Sequence, residues 1–190
     1  GELPVILAYK MNGRDIPATH GGPVRMIVPG VYANKSIKWL QRIVLTNDYR
    51  VNDTYAEMNN DVESHLKTNA RFIQPPSEIP AGKPTVLIGL AQVGMSGLSK
   101  VQYSVRPEEW VDAAILPPPT EWGGGLPGGR LPSMPAQFDP ATGRPRVWPL
   151  RGAIVHWRAK LPALPAGRYE LRCRTIDANG IAQPMPRPLP

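Results

Sequence analysis

The chain has a single cysteine, Cys173, among its 190 residues. That excludes an internal disulfide framework, though it does not fix the compartment. No apolar run approaches the ~20 residues that a membrane span needs. No signal-peptide pattern opens the sequence. There is no zinc-ligand spacing and no aromatic RNP-type motif, which argues against a nucleic-acid partner. Neither a Ser/His/Asp arrangement nor a Walker-type glycine loop is present. His65 and His156 have no partner at metal-ligand spacing and read as structural or surface residues.

Proline and glycine are what the chain has in excess, 24 and 18 residues. Proline removes a backbone donor and clashes in helix interiors, so long helices are not expected. The hydrophobic fraction of 42% is enough for a packed core. Strands, turns and extended loops follow. Val5–Tyr9, Val24–Val28 and Lys38–Leu45 read as strands, the last with Trp39, Gln41, Ile43 and Leu45 alternating on one face. Asn12-Gly13 is a turn dipeptide. Residues 47–72 are polar and without periodicity, as functional loops often are.

Pro75-Pro76 resembles a hinge, and a domain boundary is expected near residue 73. Beyond it, Thr85–Gln92, Lys100–Val105, Val111–Leu116, Ala153–Lys160 and Tyr169–Ile176 are short strand candidates whose spacing suggests a β-sandwich. Residues 117–149 hold nine prolines and six glycines and read as an irregular insertion. The net charge of +7 is concentrated in residues 144–174, where eight Lys or Arg face one acid, Glu170. Such a run is a solvated face, a docking surface for an acidic partner, or an edge of an anion site.

One block carries chemistry. Thr19-His20-Gly21-Gly22-Pro23-Val24-Arg25 is followed by Pro29-Gly30 and Ile37-Lys38-Trp39-Leu40. It threads an imidazole, a guanidinium and an ammonium through turns. A guanidinium suits phosphate through its bidentate fork, a lysine acts as a point charge, and an imidazole can donate from either nitrogen. Gly21, Gly22 and Gly30 would let backbone approach a ligand. Chemistry alone makes this an anion cradle and no more.

The same block resembles the sulfite oxidase family of molybdenum enzymes, which carry HGxPVR…VPG…KWL late in their molybdopterin-binding domain. Leu7-Ala8-Tyr9-Lys10-Met11-Asn12-Gly13 is similar to that family's LLAYEMNG segment. More loosely, Trp157-Arg158, Leu161–Gly167, Leu171–Asp177 and Gln183-Pro184 look like its C-terminal dimerisation domain. The resemblance implies a mainly β chain: the C-terminal part of the α+β molybdopterin-binding fold in residues 1–72, then an immunoglobulin-like dimerisation domain in residues 73–190 that carries the 117–149 insertion. It implies a molybdenum–molybdopterin cofactor contacted by His20, Arg25 and Lys38. It also implies an active-site tyrosine, Tyr55 or alternatively Tyr49.

The activity implied is oxidation of sulfite or a related sulfur oxyanion, with electrons passed to a haem or a cytochrome c. Plant-type nitrate reductases share the block, so it does not select the substrate. The family's metal-ligating cysteine lies upstream of this block, and Cys173, in a strand candidate, cannot replace it. Arg187 matches a family substrate-site arginine poorly. No metal ligand is therefore assigned, and the expected partners are an N-terminal molybdopterin-domain portion and a second copy of the chain. The opening Gly1–Leu7 reads as a strand already under way, as in the middle of a longer protein. A periplasmic location is expected, with any export signal upstream of Gly1. The rival expectation is a non-catalytic dimerisation and docking module whose cofactor residues are vestigial.

Overall fold

The computed structural model describes residues 5–47, 64–120 and 137–184. These fall into two units, the described residues up to Leu66 and those from Lys67 onward. The division lies a few residues before the expected boundary near 73, so the strand at residues 69–72 belongs to the second unit.

The first unit is built from very short strands and turns. β1 (Ile6–Ala8) pairs antiparallel with β4 (Arg25–Ile27), and β2 (Lys10–Met11) with β3 (Arg14–Asp15). The β2–β3 hairpin turns on Asn12 and Gly13, at φ 54° and 77°. Both lie in the left-handed region that an Asn-Gly pair tolerates best and that matches strand twist. One-turn 3-10 helices occupy Ala18–His20 and Ala33–Lys35. Val31 bridges His65, and Leu66 N donates to Gly30 O at 2.8 Å, which ties the far end of the unit to its Pro-Gly turn.

The expected strand over Lys38–Leu45 is not formed. Trp39 turns into the left-handed region at φ 52°, and no residue of the segment pairs in a ladder among the described residues. Strand alternation requires a buried face, yet Trp39, Ile43 and Leu45 are 56%, 53% and 94% exposed. Backbone bonds from Met26 N to Ile37 O (2.8 Å) and from Leu40 N to Val24 O (2.9 Å) hold only the start of the segment, beside β4.

The second unit contains β5 (Asn69–Phe72), β6 (Thr85–Gln92), β7 (Lys100–Ser104), β8 (Val111–Ile115), the small hairpin β9 (Phe138–Asp139) and β10 (Arg144–Pro145), β11 (Ile154–Leu161) and β12 (Arg172–Ile176). Six of them form one antiparallel sheet in the order β12-β7-β8-β11-β6-β5. The β-rich architecture is the one expected. A sandwich would divide these strands between two sheets, but here β8 pairs with both β7 and β11, so hydrogen bonding is continuous. The sheet curls until its edges meet: Gln183 Oε1 accepts from Ala70 N (2.8 Å) and Thr175 N (3.3 Å), and Thr175 Oγ1 donates to Thr68 Oγ1 at 3.1 Å. The result is close to a barrel.

Period-two patterning drives this packing. Along β11, Val155, Trp157, Ala159 and Leu161 point inward and Ile154, His156, Arg158 and Lys160 outward. The inward side joins Leu87, Ala91, Val93, Val101 and Tyr103 in a single core. Trp157 is wholly buried and meets Phe72 edge-on at 5.2 Å between ring centroids. The ring lies on Gly89, where a Cβ would come within 2.0 Å of Cζ2. In the insertion, Trp148 Nε1 donates to Leu116 O at 2.9 Å and the ring packs on the core, so this end of the insertion is ordered. Residues 121–136 of the insertion lie outside the described residues.

Candidate functional site

The signature block folds around the 3-10 turn Ala18–His20. Pro17 precedes the turn in extended backbone at φ −66°, a value its ring favours, and Gly21 ends it in the left-handed region at φ 96°. Pro17 O accepts from both His20 N (2.9 Å) and Gly22 N (3.1 Å). Neither glycine can carry a side chain here. A Cβ on Gly22 would lie 1.8 Å from Ile16 O, and one on Gly21 would lie 2.7 Å from Lys38 Cγ. Glycine at this point serves close approach of chain to chain.

Three successive carbonyls of this turn each accept a side-chain donor from elsewhere. Ala18 O accepts from Trp39 Nε1 at 2.7 Å, Thr19 O from Lys38 Nζ at 3.0 Å, and His20 O from Arg25 Nη1 at 3.0 Å. β4 supplies Arg25, and the turn after Ile37 supplies Lys38 and Trp39. The structure thus brings Arg25 and Lys38 to the turn that carries His20. The His20 side chain is exposed. Tyr55 and Tyr49 lie outside the described residues, as does Arg187.

The electrostatics are one-signed. Among the described residues no carboxylate pairs with Arg25 or Lys38, so two full positive charges sit on one turn. Each head uses one donor on a carbonyl and keeps others, three in total being available on an ammonium and five on a guanidinium. Arg25 Nε is buried and has no partner among the described residues. A buried donor left unpaired is costly unless a ligand completes it. An anionic group with several acceptor oxygens, such as a phosphate, would meet that need.

Sequence reasoning passed over two parts of this site. Trp39 reads as one of an apolar strand face, whereas its indole N–H is a strut of the turn. The carbonyls of Ala18 and Thr19 carry no side-chain code at all. The only available signal was the adjacency of Lys38 and Trp39 within the block.

Elsewhere the basic segment is dispersed. Arg158 and Lys160 project from the outer face of β11. Arg172 takes the segment's one acid, Glu170, at 2.8 Å. Arg174 lies over the Trp110 ring at 4.0 Å and donates to Gln102 Oε1 at 2.9 Å. Cys173 is half-buried, and burial pushes its thiol up to about 11. That is the behaviour of a packed thiol and not of a ligand. Among the described residues no group of three His, Cys, Asp or Glu side chains converges. No helix there is long and apolar enough to cross a membrane.

Residues 2–54 match the family model of the oxidoreductase molybdopterin binding domain. The chain is similar to sulfite oxidase of Gallus gallus, 28% identical over 95% of this chain and 38% of that protein. It is likewise similar to mitochondrial sulfite oxidase of Homo sapiens, 28% identical over 96% of this chain and 32% of that one. Its signature region also matches the inducible NADH nitrate reductase 2 of Glycine max, 42% identical over 62 residues, 33% of this chain and 7% of that enzyme. The chain therefore spans about a third of the length of the sulfite oxidases it matches. A molybdopterin-binding domain match over the signature block and a similarity to sulfite oxidases that runs nearly end to end along this chain support a molybdenum–molybdopterin cofactor.

Proposed function

We propose that this chain forms one wall of a molybdopterin site in an enzyme that oxidises sulfite or a related sulfur oxyanion and passes electrons to a haem or a cytochrome c. The observation that carries the reading is the turn Ala18–His20, on which Arg25 and Lys38 converge with donors, the buried Arg25 Nε among them, that have no partner among the described residues. When bound, the molybdenum–molybdopterin group supplies the redox chemistry. The chain's own residues bind and orient it. Arg25 and Lys38 neutralise the phosphate, and His20 donates a hydrogen bond at the edge of the cofactor. Fixed donors of this kind stabilise an anion without the reorganisation that water would need.

The active-site tyrosine is Tyr55, with Tyr49 as the alternative, and the protein acts in the periplasm. The remaining contacts, including the metal's thiolate, come from an N-terminal molybdopterin-domain portion in the same polypeptide or in a partner. The immunoglobulin-like reading of the second unit and its role in a homodimer rest on the resemblance to sulfite oxidases. The homodimer role is supported by the outer face of β6 and β11, where Val86, Ile88 and Ile154 are 58%, 48% and 62% exposed. The nitrate reductase of Glycine max matches 33% of this chain and the sulfite oxidase of Gallus gallus 95%, which favours sulfite. The rival reading, a non-catalytic docking module, predicts vestigial cofactor residues.

Metal and pterin analysis of the protein purified together with its molybdopterin-domain portion separates the two. The expected result is stoichiometric molybdenum in the parent and its loss in His20→Ala combined with Arg25→Ala. A parent without molybdenum favours the docking module. Full molybdenum in the double variant removes both residues from the site. Sulfite oxidation that survives Tyr55→Phe and fails in Tyr49→Phe would exchange the two tyrosines.

A further inference from the structure

We propose that Trp39 is a positioning residue of the molybdopterin site, holding the Ala18–His20 turn so that the Lys38 ammonium stays fixed. This rests on the cofactor reading above. Four observations converge on it. Trp39 is 56% exposed, so burial of its ring does not account for it. Its backbone sits at φ 52°, a region that bulky residues avoid. Such a conformation persists only where the surroundings over-determine it. Here they do: Trp39 N donates to Gly21 O at 3.0 Å and Nε1 to Ala18 O at 2.7 Å, on either side of the turn.

The third observation is what this does to Lys38. The left-handed residue bends the chain directly after Lys38, whose Nζ reaches Thr19 O, the carbonyl next to the one that Trp39 takes. The fourth is the ring itself. Lys38 Nζ stands 5.6 Å from the Trp39 ring centroid, within cation–π range. A flexible four-carbon stem is thereby held at two points, a carbonyl and an aromatic face. A lysine otherwise loses rotamer freedom when it grips a ligand. Trp39 makes that loss before the ligand arrives, which is preorganisation.

The test uses the protein purified with its molybdopterin-domain portion. Trp39→Phe removes the N–H and replaces the indole by a smaller ring that can still lie beside Lys38. The readout is molybdopterin retained after timed dialysis, measured by the fluorescence of its oxidised derivative. Loss of one neutral hydrogen bond predicts roughly two- to tenfold faster release. Lys38→Met releases faster still. In the Trp39→Phe, Lys38→Met pair the release rate should equal that of Lys38→Met alone, because Trp39 acts through the ammonium; coupling of this kind is what a double-mutant cycle detects. Trp39→Phe also lowers the thermal midpoint of the cofactor-free protein through the bond it removes, and to the same extent with or without Lys38→Met, so the coupling in release rate is what reads the positioning role.

Parental retention in Trp39→Phe overturns the proposal. So does a pair whose effects multiply, which would make Trp39 independent of Lys38. A parent without molybdopterin removes the cofactor reading and this inference together, whereas a parent that holds it and a Trp39→Phe that holds it equally remove this inference alone.

Discussion

Gly22→Ala is the most demanding test of the site's geometry. The added Cβ would sit 1.8 Å from Ile16 O, 2.8 Å from Ile16 C and 3.3 Å from Pro17 C. Real Cβ atoms essentially never come closer than 3.0 Å, so chain and turn must separate by more than about 1 Å. The obstacle is backbone and cannot rotate aside as a side chain would. Ile16 is buried at 6% exposure and its N donates to Tyr9 O at 3.2 Å, which anchors it to the hairpin side. The turn therefore gives way. Overpacking of this kind costs ~1–3 kcal/mol. Loss of the Gly22 N to Pro17 O bond adds about 1 kcal/mol.

The functional effect exceeds the structural one, because the same turn offers its carbonyls to Trp39, Lys38 and Arg25. If two of those bonds weaken, cofactor binding should fall by at least about tenfold, equivalent to ~1.4 kcal/mol. Gly21→Ala should be milder, since its closest neighbours are the Lys38 Cγ and Cβ at 2.7 and 2.8 Å, though its φ of 96° adds strain. Gly167→Ala is the control: its nearest neighbours are Tyr169 ring atoms at 3.6 Å and beyond, and the change should stay within ~0.5 kcal/mol. Molybdopterin content and thermal unfolding of the three variants give the order Gly22→Ala, Gly21→Ala, Gly167→Ala from worst to best. Parental cofactor content in Gly22→Ala, or Gly21→Ala as the worse of the first two, would refute the reasoning.

The second unit supports three further predictions. Gly89→Ala should destabilise it by ~2–3 kcal/mol in urea unfolding, because the Cβ would meet the buried Trp157 ring at 2.0 Å and Arg71 O at 2.6 Å, with no room for either to move. Cys173 should alkylate slowly at pH 8 in the folded protein and rapidly in urea, since burial raises its thiol to about 11. The sign follows: stability from keeping this thiol neutral is complete below its unfolded value near 9.0 and is lost as pH rises to about 11, which a pH series of unfolding midpoints would show. Asp112 is held below the ordinary carboxylate range by hydrogen bonds from Lys100 (2.9 Å) and Gln102 (2.8 Å). Its contribution is present above the unfolded carboxylate value and is lost as pH falls through the lowered one. Asp112→Asn should thus lower the midpoint slightly at pH 7 and not at all in strong acid.

What the sequence made legible was whatever a side chain encodes by itself. Val155, Trp157, Ala159 and Leu161 alternate with polar or charged neighbours for most of β11, and the strand forms with them inward. Asn12-Gly13 encodes its own hairpin. β5 went unread because Asn69-Ala70-Arg71-Phe72 has no β-branched residue and its polar–apolar alternation lasts only four residues at the end of a polar stretch; the ladder with β6 makes it a strand. Lys38–Leu45 shows the opposite failure. Its alternation is real, but alternation specifies a strand only where a partner and a buried face exist. At the site, the residue types of His20, Arg25 and Lys38 pointed to an anion. Their common dependence on one turn was illegible, because the acceptors are backbone carbonyls that every residue possesses.

The two units are stabilised in different ways, and the difference bears on function. The second buries a continuous apolar core from Ala70 to Leu161. Among the described residues of the first, Ile16 is the one buried hydrophobic side chain, while Val5, Ile6, Leu7, Tyr9, Val44 and Leu45 stand exposed. With so little apolar burial, the first unit holds its shape by hydrogen bonds to backbone carbonyls, each worth ~0.5–1.5 kcal/mol net. Two of the three side-chain bonds to the Ala18–His20 turn come from the cations that face the ligand. An anion bound there screens those charges from each other and completes the buried donor on Arg25. Binding and local order are then one equilibrium, since a ligand that binds only the ordered form stabilises it by mass action. The first unit should consequently gain far more stability from cofactor than the second, and hydrogen exchange at Gly21, Gly22 and Trp39, compared with and without molybdopterin, should slow while exchange within β11 stays constant.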